Sequence, residues 1–311
     1  MIYTVTLNPA VDNTLHVESL TLDAVNRATS SRQDPGGKGI NVSKTVKALG
    51  GTSRAYAVLS GSAGSWIARA LEGMGIECTA FEGEGETRTN TKIVDPVAGT
   101  FTDINEPGSP VTPDLLDGML AALAEAVVPG DVVALSGSLP AGASASTYAV
   151  WTQRLKDAGA LVVLDADGEA FALGLEAAPY LVKPNEVELG RFVGKELSSD
   201  EDIVAAARSL IDAGVEKVMV SLGGDGAILV TADEVLRARQ PAVEVASTVG
   251  AGDSVVAALA VAIEKGLPDA DAARFAMATG AATVMRPGTE PAHREDVDRL
   301  LDEVRITQLH I

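Results

Sequence analysis

The feature that most restricts this chain is its rhythm: short Val- and Ile-rich runs alternate with longer stretches of helical period through most of its 311 residues. Strands are expected at 2–7, 54–59, 132–136, 161–165, 180–182 and 218–221, and helices at 40–49, 65–74, 113–126, 145–157, 186–192 and 201–213. In the last of these, Ile203, Ala207, Leu210 and Ile211 fall on one helical face. Strands alternating with helices of this length imply βαβ units and a mostly parallel sheet. The runs at 132–136 and 161–165 are apolar throughout rather than alternating, as strands are when helices cover both faces of a sheet. The C-terminal third is Ala-rich and reads as helices at 251–265, 269–284 and 294–304.

Ligands of such sheets sit beyond the carboxyl ends of the strands. That directs attention to Ser136-Gly137-Ser138, Asp165-Ala166-Asp167, Lys183-Pro184-Asn185 and Ser221-Leu222-Gly223. Two segments, about 12–29 and 86–105, break the rhythm with short strand-like pieces and a turn at Ala98-Gly99. Too short to be domains, they are expected to form a small β-lid inserted into a single α/β unit spanning 1–311.

Charge and composition exclude several classes. The 24 basic against 43 acidic residues leave a net charge of −19, the opposite of a nucleic-acid or anionic-membrane binder. A single cysteine, Cys78, cannot form an intramolecular disulfide, which fits a reducing compartment. His16, His293 and His310 are too widely spaced for a helical zinc motif. No signal segment is read at the N-terminus, and the longest apolar run, 255–263, is far short of the ~20 residues a membrane span needs. A soluble, cytoplasmic protein is expected.

The sharpest local signal is Ser247-Thr248-Val249-Gly250-Ala251-Gly252-Asp253-Ser254, followed at once by an apolar helix. Glycines at a helix N-terminus let backbone N–H groups turn toward an anion, where the helix dipole also favours negative charge. Asp253, in the first turn, would repel such an anion unless it had a task, such as taking a proton from an attacking hydroxyl; Asp is also simply a preferred N-cap residue. A third glycine is missing, so neither the dinucleotide fingerprint nor a protein-kinase loop fits. Gly37-Lys38 is followed by Gly39 rather than Ser or Thr, so it is no P-loop. Asp165-Ala166-Asp167-Gly168 has its glycine too early for a calcium loop.

A second cluster, Pro35-Gly36-Gly37-Lys38-Gly39-Ile40-Asn41, again opens a helix, close after a segment holding Asn8 and Asp12. Asp12 and Asn41 are short polar residues suited to sugar hydroxyls. Lys38, Arg27 and Arg88 can meet a substrate phosphate, although a single Lys or Arg is more often a solvated surface charge.

Together these residues make a resemblance. TLNPAVD at 6–12, GGKGIN at 36–41, SGSLP at 136–140, KPNxxE at 183–188, Ser221-Leu222-Gly223 with Gly226-Ala227, and STVGAGDS at 247–254 stand in the order found in the ribokinase-like (PfkB) sugar kinases. The likeness covers essentially the whole chain. Within the family it is most similar to bacterial members that act on fructose 1-phosphate.

The resemblance implies a three-layer α/β/α sandwich with a mostly parallel central sheet and a small β-sheet lid. It also implies transfer of phosphate from Mg²⁺-bound ATP to a phosphorylated ketohexose, with Asp253 as catalytic base and Gly250, Ala251 and Gly252 as the anion hole. Asp12, Gly37, Lys38, Asn41, Arg88 and Ser138 then fall on the sugar side. Lys183, Asn185, Ser221, Gly223, Gly226 and Thr248 fall on the nucleotide side, and Asn185 and Glu188 are associated with magnesium. A homodimer through the lid is implied as well. Val25 stands where relatives acting on fructose 6-phosphate can carry Lys, and Arg286 where some relatives place Asn near the adenine. Kinases for tagatose 6-phosphate or fructose 6-phosphate, and a nucleotide- or sugar-phosphate-binding regulator on the same fold, are the alternatives.

Overall fold

A computed structural model describes residues 1–311. Two sheets organise it. The larger has ten strands: β1 (Ile2–Thr6), β4 (Ser53–Leu59), β5 (Glu77–Glu82), β8 (Val132–Ser136), β9 (Leu161–Asp165), β10 (Leu181–Val182), β11 (Lys217–Ser221), β12 (Ala227–Thr231), β13 (Val235–Arg239) and β14 (Arg305–Gln308). Their order across the sheet is β14-β13-β12-β11-β10-β9-β8-β1-β4-β5. From β11 to β5 every pairing is parallel; β12, β13 and β14 add an antiparallel edge.

Helices cover both faces, and the strands show why they read as unbroken apolar runs. Val133 and Leu135 of β8 enter one core, while Val132 and Ala134 enter the other. In β9, Val162 and Leu164 likewise part from Val163. The first core is closed by α3 (Pro113–Ala126), α4 (Thr147–Asp157), α5 (Gly168–Leu175), α6 (Glu186–Val193) and α7 (Asp200–Asp212). On the opposite face lie α1 (Lys38–Ala48), α2 (Gly61–Gly73), α8 (Ala251–Glu264), α9 (Asp269–Val284) and α10 (Arg294–Leu301). The result is a three-layer α/β/α sandwich.

The smaller sheet is the lid, ordered β3-β2-β6-β7. Its strands are β2 (Ala10–Val17), β3 (Ala28–Gly36), β6 (Arg88–Asp95) and β7 (Thr100–Asn105). The first lid segment is longer than the sequence suggests: β3 pairs with β2 down to Gly36, so the glycine cluster is the end of a lid strand and the start of α1 at once. β5 and β14, the two edges of the sheet, are largely exposed and so lack the doubly buried signature. The β12–β13 hairpin, whose residues part between the two cores, carries that signature and is a strand pair the sequence reading did not include. The helix expected at 294–304 stops at Leu301, because residues 305–308 alternate and pair with β13. No helix of the structure is long and apolar enough to cross a membrane.

Candidate active site

The chain runs from β1 to β4 on one side and leaves β8 on the other, so the strand order reverses between β1 and β8. A cavity of about 390 Å³ opens there, beyond the carboxyl ends of the strands, as such sheets dictate. Of its 20 lining residues one is hydrophobic, so its occupant is polar. Thr6, Asn8, Ser136, Gly137 and Ser138 come from the floor, and the lid closes over them.

Two helix N-termini meet at this floor. α1 begins after Gly37, whose φ of 110° and close approach to Thr6 and Pro9 leave no room for a side chain. α8 begins after Gly250 in the left-handed conformation (φ 78°), which turns the chain so that the N–H groups of Gly252 and Asp253 find no acceptor within the protein. Free donors at a helix start are an anion site. The Thr45 and Ser254 hydroxyls, 3.1 Å apart, join α1 to α8. One turn away, Asn41 Nδ2 donates to Asp253 Oδ2 at 2.8 Å.

Asp253 is 7% exposed. Burial, reinforced by the charge of Asp165, pushes its carboxyl up to about 6, against the pull of Lys38, Asn41 and Lys183. A carboxylate tuned close to neutral pH, aimed at an anion site, has the properties of a general base.

Asp165, at the end of β9, is a site residue that the sequence reading did not select, although it lies in a strand-end segment marked for attention. Its Oδ1 is 3.4 Å from Lys38 Nζ and 3.5 Å from Lys183 Nζ, while its buried Oδ2 has no hydrogen-bond partner. Burial alone would raise this carboxyl, but Lys183 and Lys38 outweigh it and hold it below its ordinary value. Lys38 is shifted upward: burial opposes its charge, and Asp165, Asp253, Glu188 and Asp167 more than compensate. Lys183 lies against the glycine loop, its Nζ 3.5 Å from where a Cβ on Gly252 would stand. Two cations, the buried Lys183 and the partly exposed Lys38, thus flank the anion site.

Asn185 and Glu188 form a capping box at the start of α6: Asn185 Oδ1 accepts from Glu188 N–H, and Glu188 Oε2 accepts from Asn185 N–H. Asn185 also bridges to Ser221. With Gly223 these residues line a second hollow of about 250 Å³. Thr248 and Gly226 line neither cavity, and neither do Lys183, Gly250, Ala251, Gly252 and Asp253, which lie behind Lys38, Asn41 and Val249 of the larger one. No cluster of three or more acidic, His or Cys side chains gathers as a resident metal centre.

The lid contributes by two-residue alternation. Register pairs Asp12 with Asn90, Thr14 with Lys92, Lys92 with Asp103 and Asn90 with Asn105, and all six face the cavity. Asn90 Nδ2 donates to Asp12 Oδ1 at 3.1 Å, and Lys92 pairs with Asp103 at 3.3 Å. Burial pushes the Asp12 carboxyl up despite Asn90, Lys44 and Arg88. Arg88 spends three N–H groups on the carbonyls of Asn8, Pro9 and Glu106, so it anchors the loops beneath the lid as well as lining the cavity. Ser138 Oγ accepts from Asn8 Nδ2 at 3.2 Å. Asn90, Lys92, Asp103 and Asn105 are cavity residues the sequence reading did not select; the alternation within 88–95 and 100–105 is the signal that carries them.

Paired helix N-termini, flanking lysines and a buried carboxylate beside a polar cavity define a phosphotransferase acting on a small hydroxylated substrate. The chain belongs to the pfkB family of carbohydrate kinases, whose description matches residues 5–295. It is 39% identical to the 1-phosphofructokinase of Bacillus subtilis over 99% of this chain and 100% of that protein. It is 43% identical to the 1-phosphofructokinase of Rhodobacter capsulatus over 94% of each. Among solved structures, phosphofructokinase-2 from Escherichia coli in complex with substrates and products superposes with a TM-score of 0.93 at 28% identity, covering 97% of this chain and 98% of that one.

Proposed function

We propose that this enzyme transfers the γ-phosphoryl group of Mg²⁺-bound ATP to the C6 hydroxyl of fructose 1-phosphate, giving fructose 1,6-bisphosphate and ADP. The observation that carries this reading is the buried Asp253 in the first turn of α8, beside free helix N–H groups and within the field of Lys38 and Lys183, and hydrogen-bonded to Asn41, a residue of the polar cavity closed by the lid. The names borne by the curated relatives support the substrate.

In this reading the sugar lies in the larger cavity, its hydroxyls on Asp12, Asn90 and Ser138 and its own phosphate against the cations Arg88 and Lys92. Asp253 takes the proton of the C6 hydroxyl as the new O–P bond forms and the bond to the β–γ bridging oxygen breaks. Charge on the transferring group falls on the N–H groups at the start of α8 and on the two lysines, since phosphoryl transfer depends on alignment and neutralisation more than on covalent chemistry. The nucleotide lies along Asn185, Ser221 and Gly223. Magnesium enters with it as part of the substrate, and Asn185 and Glu188 would be the side chains on its side of the site. Gly226 and Thr248 shape the nucleotide loops from behind.

The enzyme works in the cytoplasm and forms a homodimer through the lid. Leu22, Val25, Val97, Phe101 and Ile104 are exposed apolar side chains on or beside the lid sheet. Phosphofructokinase-2 of Escherichia coli, a structural neighbour, has been solved in a tetrameric inhibited form.

A coupled ADP-release assay with MgATP tests the substrate against fructose 1-phosphate, fructose 6-phosphate, tagatose 6-phosphate and fructose. The highest kcat/KM is expected for fructose 1-phosphate. A preference for fructose 6-phosphate, the ligand of one solved neighbour, would overturn the substrate and keep the chemistry. Bound ATP with no turnover on any of the four would point to a binding protein.

A further inference from the structure

Lys44, in the middle of α1, belongs to no motif and lines neither cavity, yet it is 5% exposed and its ammonium group ends beside the site. Nζ donates to three acceptors from three parts of the chain: the Pro35 carbonyl at the end of lid strand β3 (3.2 Å), Asn41 Oδ1 (3.3 Å) and Thr289 Oγ1 (3.3 Å). None is a carboxylate. A buried ammonium without a direct ion pair is costly, so its retention calls for a task.

The task is visible one bond further on. The amide of Asn41 has two ends of nearly equal size, one donor and one acceptor, and only one orientation lets it donate to Asp253. Lysine has donors only. With Lys44 on one side, Oδ1 must face the ammonium and Nδ2 must face the Asp253 carboxylate. The flipped amide would place donor against donor on one side and acceptor against carboxylate on the other.

We propose that Lys44 is a positioning residue for phosphoryl transfer, fixing through Asn41 the orientation and the ionised form of Asp253. This rests on the reading of Asp253 as the general base. Around Lys44, the charged groups are Asp34 and Arg32 of β3, Asp12 of β2 and Asp253 of α8; burial presses the lysine downward and the three acids oppose it. Around Asp253 they are Asp165, Lys38 and Lys183.

The test is a double-mutant cycle of Lys44→Met and Asn41→Ala, with kcat followed from pH 5 to 9 on variants whose melting curves confirm folding. Lys44→Met is expected to lower kcat about ten- to a hundredfold, the worth of one hydrogen bond to a charged group. It should move the acid limb of the profile to higher pH and change the KM for fructose 1-phosphate far less. In the Asn41→Ala background it should add little, because the two residues act through one bond. Fully additive losses, or an unmoved acid limb, would overturn the proposal. Should Lys44→Met not fold, Lys44→Gln is carried through the same cycle with the same two criteria. Asp253→Asn is assayed alongside: wild-type turnover there would overturn the general-base reading itself, whereas lost turnover combined with additive Lys44 effects would overturn only the positioning role.

Discussion

Asp165, Lys183 and Asp253 on the floor of the site are each less than a tenth exposed, whereas all six residues of β7 in the lid are exposed. The floor is held by two apolar cores packed on either face of a ten-stranded sheet, so its charges are fixed before substrate arrives. The lid has four strands, of whose residues only Val11 belongs to an apolar core, and its polar groups already pair with each other: Asn90 with Asp12, Lys92 with Asp103. The floor is therefore suited to the chemical step, where preorganised charge matters most. The lid is suited to recognition, where one set of polar partners is exchanged for another.

The sharpest way to break this division is at Asp253, the proposed base. Asp253→Ala is expected to cut kcat by about 10²–10⁴, the usual worth of a positioned general base, while sugar-phosphate binding measured by calorimetry persists. Next comes the core beneath it. Leu164→Ala, at a fully buried position of β9 beside Asp165, should cost about 2–5 kcal/mol in denaturant unfolding; a loss under about 1 kcal/mol would mean the floor is less rigid than argued.

Asp253 also sets a stability slope. Its carboxyl rises from 3.8 to about 6 on folding, so the fold gains from protonation and loses stability as pH climbs between those values. Asp253→Asn should therefore melt higher than wild type at pH 8, by on the order of 3 kcal/mol, with the advantage shrinking toward pH 4. An unchanged or lower melting temperature at pH 8 would contradict the buried-charge account.

Lid changes should be smaller and of another kind. Lys92→Ala is expected to raise the KM for fructose 1-phosphate about tenfold, as one charge-assisted bond would, with kcat largely kept. An equal fall in kcat would place the lid in the chemical step. Smallest of all, Phe101→Ser on the exposed face should leave monomer stability within about 0.5 kcal/mol, and sedimentation should register it only through the dimer.

The same contrast governs what could be read from sequence. β8 and β9 were legible to the residue because doubly buried parallel strands are continuous apolar runs, and α3 and α9 because their periodicity and boundaries agree. The glycine clusters announced both helix N-termini. The lid strands were placed as irregular segments, but of their six inward residues only Asp12 was singled out, since alternation of small polar residues such as Asn90 and Thr14 carries little contrast. Asp165 escaped because a carboxylate at a strand end has no pattern of its own; only the fold brings Lys38, from 127 positions away, to meet it. The exposed edge strands β5 and β14 were missed because they carry no continuous apolar run, whereas β12, a run buried on both faces, had the signature and was passed over all the same.

The central claim, that turnover on this floor waits on the ionisation of one buried carboxylate, is tested most directly by the pH dependence of kcat for the wild-type enzyme at saturating MgATP and fructose 1-phosphate. The account predicts an acid limb with an apparent pKa near the value of about 6 set by burial and Asp165, turnover falling about tenfold per pH unit below it. A kcat that stays level down to pH 4.5 would contradict it.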